Sequence, residues 1–291
     1  MHPAASVIVF TSLSGLGFGL LFFLGLGKPD VSGLSAFVFF FIAYALTVGG
    51  LLASTFHLGN PQRAMKAFSQ WRTSWLSREG VVAVAALLVM GVYAALLIFV
   101  GIRIAPLGWL GSVLSIIAVY CTSMIYGQLK TVPRWNMGTT PILFLLYALA
   151  GGALLAAQLS FALLLLAVLT LVQILSWMRG DLSFALAGHN IETATGLGHL
   201  GKVRLLEGPH SGENYLTREM VHVIGRKHSF KLRVIAALCL GVIPVALLGL
   251  FQIDHLSVLL IITLHVIGLF ISRWLFFAEA EHVVGLYYDK R

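Results

Sequence analysis

Along this chain the apolar residues neither alternate with polar ones nor keep to one helical face. They run on in long blocks, interrupted by short polar stretches. A hydrocarbon layer about 30 Å thick takes roughly 20 helical residues to cross, and a helix satisfies its own backbone there. The blocks predict eight spans, at 6–27, 34–56, 80–100, 107–128, 139–158, 160–178, 234–251 and 255–275. The fifth and sixth form one apolar run too long for a single helix, so it is divided by a very tight turn at Gln158 and Ser160. The expected fold is all-α: a polytopic bundle of eight transmembrane helices forming one domain over 1–291.

The connections then set orientation. With eight spans, 17 of the 19 Lys and Arg residues fall on the side holding both termini, and only Lys28 and Arg103 fall on the other. The positive-inside rule makes the crowded side, with both termini, cytoplasmic. Joining the fifth and sixth spans would destroy this asymmetry, which supports dividing them. Two segments on the crowded side are long enough to dock a partner: the polar loop 179–233 and the tail 276–291, in which the last helix is expected to run on past the interface with Glu279, Glu281 and His282. All six tryptophans lie in or beside connections, the pattern of an interfacial aromatic belt. Gly-rich patches at 15–19, 49–50 and 151–152 predict close helix crossings. Pro244 predicts a kink and a backbone carbonyl left for a neighbour or ligand to satisfy.

Composition narrows the class. The chain is 59% hydrophobic and 10% charged, against about 25% charged for an ordinary soluble domain. The net charge of +8 is explained by the one-sided excess, and no nucleic-acid-reading module is present. Cys121 and Cys239 both sit inside apolar runs, so neither a disulfide framework nor a thiolate metal site is expected. The start, MHPAASVIVF, lacks the basic region and cleavage site of a signal peptide and reads as a first helix that stays.

Chemistry concentrates in HLGNPQRAMKAFSQWRTSWLSRE, 57–79. His57 closes the second span, with Gly59 and Pro61 breaking the helix after it. Glu79 opens the third, with Ser77 available as its cap. Two readings fit. In one, these are interfacial helix ends, with Glu79 paired to Arg78 or Arg63. In the other they handle protons for a quinone, whose reduction consumes two electrons and two protons; an imidazole that titrates near neutrality suits that task. Arg63 and Arg78 beside them, and Tyr126 and Arg134 in CTSMIYGQLKTVPRW, are candidates to reach a quinone head group, or to anchor the interface. Haem is disfavoured because only His265 lies deep in an apolar run, with no second histidine at matched depth; His265 is expected to be packed or hydrogen bonded. No metal-ligand set is found, and no acidic or Lys relay crosses the bilayer, which argues against a proton pump.

HLGNPQRAMKAF with SWLSRE, then CTSMIYGQLKTVPRW and RWLFFAEAEH, resembles the membrane-anchor subunits of the dimethyl sulfoxide reductase family over essentially the full chain. The resemblance implies a haem-free, quinone-binding anchor in the inner membrane, with His57 and Glu79 on the family's functional histidine and glutamate. It also implies two partners: an iron–sulfur subunit with four cubane clusters, and a catalytic subunit carrying a molybdenum bis-pterin guanine dinucleotide cofactor. The sulfoxide-reducing members keep these partners outside the cytoplasm, whereas the basic bias here places them inside. The opening MHPAASVIVFTSLSGLGFG is similar to the anchors of cytoplasmic sulfite-oxidizing members, which implies electron flow from sulfite to ubiquinone or menaquinone. A quinol-oxidizing anchor for sulfoxide, thiosulfate or polysulfide reduction stays open, as do a transporter and a purely structural anchor.

Overall fold

A computed structural model describes residues 2–57, 60–207, 212, 214–221 and 227–288. Among them every regular element is helical. Helix α1 is Ala5–Gly25 and α2 is Gly33–Ala53. Helix α3 is Trp75–Ala95, prolonged by a π-helical turn to Val100, and α4 is Ala105–Gly127. Next come α5, Thr139–Leu155, and α6, Leu159–Leu186. After a short α7, Ile191–Thr195, helices α8, Ser229–Ala237, and α9, Ile243–Leu250, join through the π-helical turn Leu238–Val242. Helix α10 is His255–Ala278.

Seven of these helices are long and apolar enough to cross a membrane. The fifth expected span is shorter than predicted. Helix α5 has 17 residues, about 25 Å at 1.5 Å per residue. The division near Gln158 is a real turn: Ala157 takes a left-handed φ of 52°, and α6 starts two residues later.

Helix α1 packs against α2, α4, α5 and α10 and is the most buried of the seven. Its small residues explain this placement, because without a hydrophobic force between helices in lipid, close backbone approach and packing hold the bundle. A Cβ on Gly152 would overlap the backbone of Gly19, and one on Gly108 would overlap that of Gly25. Those two crossings fix α1 against α5 and α4.

Other expectations are corrected. Helix α6 runs to Leu186, eight residues beyond the expected end, so the first part of the 179–233 loop is helical. Helix α10 stops at Ala278, and the tail folds back instead of extending: the Val283 N–H donates to the Thr131 carbonyl at 3.0 Å, and the Tyr287 hydroxyl donates to that of Ala194. Trp135 and Trp177 are not belt residues but buried ones, since the Trp135 indole N–H donates to the Phe276 carbonyl at 2.8 Å and Trp177 lies under Arg233. Trp71 and Trp109 are exposed.

The kink at Pro244 takes the form the sequence suggested. Proline has no N–H to offer the carbonyl of Leu240, one α-turn earlier, and its ring crowds that carbonyl. The helix widens into the π-turn there, and His265 Nδ1 donates to the Leu240 oxygen at 2.9 Å. The deep histidine is therefore a partner for a proline-freed carbonyl.

Candidate functional site

Polar side chains gather at the two ends of the bundle, with very different chemistry. At one end Arg103 pairs with Asp30 at 2.6 Å, Lys28 lies over the Phe161 ring, and Asp254 caps α10 by accepting the Ser257 N–H at 2.8 Å. These charges are few, and Arg103 and Asp30 neutralise each other. The Ser257 hydrogen bonds hold the Asp254 carboxyl below the usual carboxylate range. Everything else of chemical interest lies at the opposite end, where α3 and α8 begin and α4, α6 and α10 finish.

Glu79 is the centre of that end. Helix α3 begins at Trp75, with Ser74 as its N-cap residue. Ser77 is therefore inside the helix and buried rather than capping it, and Glu79 sits in the second turn, past the strongest part of the helix dipole. The carboxylate is 4% exposed. Thr122 on α4 donates its hydroxyl to Glu79 Oε1 at 2.5 Å. The second oxygen, Oε2, has no hydrogen bond to a described residue.

Arg78 is not the partner of Glu79. Its guanidinium turns outward, donating to the carbonyls of Trp71 at 3.0 Å and Arg72 at 2.6 Å while lying 4.3 Å over the Trp75 ring. It pins the 60–74 connection to the start of α3. His57 ends the 3-10 turn Ser54–His57 that continues α2, so the helical segment already stops before Pro61. The side chains of His57 and Arg63, and the whole of Gly59, lie outside the described residues.

One turn beyond Thr122, Tyr126 is buried in an aromatic cluster with Trp135, Phe144, Phe276 and Phe277, at centroid distances of 5.3 to 5.8 Å. Arg134 belongs to an ion cluster that ties four parts of the chain. It donates to Asp181 of α6 at 2.5 Å and to Glu279, just past α10, at 3.2 Å. Arg233 of α8 donates to the same two carboxylates at 2.6 and 2.7 Å. Glu279, expected on a docking surface, is thus a buried member of this cluster. His282 accepts the Val284 N–H at 3.0 Å, and burial pushes its imidazole below its ordinary value. No group of three or more His, Cys, Asp or Glu that could hold a metal ion occurs among the described residues.

The structure therefore joins Glu79 to Thr122 and joins Arg134 to Arg233, Asp181 and Glu279. Between the two groups stands Tyr126. Two residues escaped the sequence reading. Thr122 stands within CTSMIYGQLKTVPRW, and its signal was position: it shares a face of α4 with Ala118 and Tyr126, at four-residue spacing. Arg273 counted only as one more basic residue near an interface, yet it is buried inside the bundle.

A bundle of apolar helices with polar chemistry at its ends, and no globular domain among the described residues, defines a polytopic membrane protein. The family model of the DMSO reductase anchor subunit (DmsC) matches residues 1–278, and the chain belongs to that family. It is a membrane anchor subunit, multi-pass in the inner membrane. The chain is similar to a sulfite dehydrogenase subunit of Allochromatium vinosum, with 35% identity over 325 aligned positions covering 99% of each chain. It is also similar to the anaerobic dimethyl sulfoxide reductase chain YnfH of Escherichia coli, with 31% identity over 159 positions, 52% of this chain and 55% of that one. No solved structure matches.

Proposed function

We propose that this anchor binds a quinone at the end of the bundle that carries Glu79, and that it passes electrons there from a cytoplasmic iron–sulfur subunit fed by a molybdenum catalytic subunit. The observation that carries the reading is the buried Glu79 carboxylate. A side chain of this kind inside a membrane helix is costly and is a functional hypothesis by default. Its one hydrogen bond among the described residues leaves Oε2 open to a ligand.

A bound quinone supplies the two-electron acceptor. The chain supplies protons and shape. Thr122 holds the Glu79 side chain in one orientation, so that Oε2 is the atom at which a proton is held or given up. His57 stands at the end of α2, where it can exchange protons with the cytoplasm. Arg78 positions the connection between His57 and Glu79, and Tyr126 closes the far wall with its aromatic neighbours. Arg134 and the other members of the ion cluster brace the rim on which the iron–sulfur subunit docks.

Orientation rests on the 17 to 2 distribution of basic residues, which puts this end in the cytoplasm. The likeness to a sulfite dehydrogenase subunit across nearly the whole chain supports sulfite as the reductant. Oxidation of sulfite to sulfate with one water releases two electrons and two protons, the same number that reduction of a quinone consumes. The partial likeness to a dimethyl sulfoxide reductase chain favours a second reading, with the same site oxidizing quinol. Haem has no part in either reading, and a stoichiometric haem band in the purified protein would overturn that element.

The test is Glu79→Gln in the assembled complex, with His57→Ala beside it. Both variants are expected to lose at least tenfold in quinone-linked turnover while keeping dye-linked activity of the catalytic subunit. Quinone-linked turnover unchanged in both would end the assignment.

A further inference from the structure

A second polar site lies apart from Glu79, in a cavity of about 30 Å³ between α5, α6 and α10, beneath the ion cluster. Arg273 of α10 lines it and is 3% exposed. The guanidinium is 3.7 Å from the ring centre of Phe144 and 4.6 Å from that of Tyr147, so aromatic rings cover its faces. Its edges are another matter. A guanidinium carries five N–H donors, yet Arg273 makes no hydrogen bond or ion pair to a described residue, and its Nε is fully buried without a partner. The neighbouring Ser272 hydroxyl also lines the cavity, buried beside the Tyr147 hydroxyl, which itself donates to Gln173.

The nearby carboxylates do not neutralise Arg273. Glu279 lines the same cavity, but its two oxygens are taken by Arg134 and Arg233, and Asp181 serves the same pair. Two arginines and two carboxylates balance there, which leaves Arg273 as one uncompensated positive charge inside an apolar bundle. Such a charge is unfavourable unless something answers it. Water satisfies donors but leaves the charge in place.

We propose that this cavity binds one small monovalent anion of halide size, held by the Arg273 guanidinium and the Ser272 hydroxyl. The size of the cavity selects the class. About 30 Å³ has room for an ion or one or two waters, not for an aromatic ring or a phosphate ester. The anion completes the charge balance where α5, α6 and α10 meet, so it couples the packing of these helices to the ionic composition of the cytoplasm.

Bromide is the probe. Crystals of the complex grown with bromide in place of chloride are expected to show an anomalous peak within hydrogen-bonding distance of Arg273, lost in Arg273→Met. In solution, replacing gluconate by bromide at constant ionic strength should raise the Tm of the anchor with the logarithm of bromide concentration; Arg273→Met should abolish this rise. Should that variant not assemble, Ser272→Ala, a smaller change, is expected to move the bromide midpoint several-fold upward. A cavity holding only water with no anomalous peak, or a bromide response identical in wild type and variants, overturns the proposal. Quinone-linked turnover is read separately and stays independent of this result.

Discussion

Replacing His265 by Leu tests whether the histidine deep in the bundle is there for the carbonyl that Pro244 strands. The imidazole is 1% exposed, and Leu240 is wholly buried, so water cannot take over the bond of 2.9 Å. An average hydrogen bond between membrane helices is worth only about 0.6 kcal/mol, with a maximum near 1.7. A stranded buried carbonyl costs more, about 1–3 kcal/mol. The second figure governs here because Leu supplies no donor, and we expect His265→Leu to lose about 2 kcal/mol. His265→Gln keeps a donor and should lose less. The decisive variant is the double one. Pro244→Ala restores an N–H one α-turn after Leu240, so the helix can satisfy its own carbonyl. In the His265→Leu background it should recover at least half of the loss, whereas alone it should change stability little. The resulting coupling of about 1 kcal/mol or more is within reach of a double-mutant cycle, measured by unfolding the full chain in mixed micelles. A double variant as unstable as His265→Leu alone would refute the link between proline and histidine.

Two further predictions concern the end of the bundle that carries Glu79. Glu279→Gln removes the buried charge that Arg134 and Arg233 share and turns one of its two acceptor oxygens into a donor, so it should cost about 3–5 kcal/mol, as expected when one partner of a buried pair is lost. Asp181→Asn touches the same arginines, but its carboxylate is 47% exposed and solvent screens it, so it should cost about 1 kcal/mol or less; equal losses in the same unfolding assay would contradict this ranking. Leu200→Cys, at an exposed position between α7 and α8, should react with a membrane-impermeant thiol reagent only in inverted vesicles, in a Cys239→Ser background because Cys121 is buried but Cys239 is only partly so. Labelling from the outside of intact cells would reverse the orientation.

What the sequence determined by itself was everything that follows from one residue's burden against one solvent. Apolar runs of about 20 residues dictate helices in lipid whatever surrounds them, so the helical bundle and the division at Gln158 were legible. So was the freed carbonyl at Pro244, because a missing N–H is a property of proline alone. The carboxylate at Glu79 could likewise be singled out from type and position. Partners could not. That Arg78 faces the loop carbonyls while Thr122 holds Glu79, that Arg134 and Arg233 share Asp181 and Glu279, and that Arg273 is sealed among aromatic rings are facts of tertiary contact, and the Glu79 and Arg134 pairs join residues 43 and 145 positions apart. Local pattern carries no record of them. They depend on the rotation of each helix about its axis, which for α1, α4 and α5 the packing of Gly19 on Gly152 and of Gly25 on Gly108 sets. The same limit made the tail look like a continuing helix and Trp135 like a belt residue: burial is a property of the assembled bundle, and only the tertiary structure assigns it.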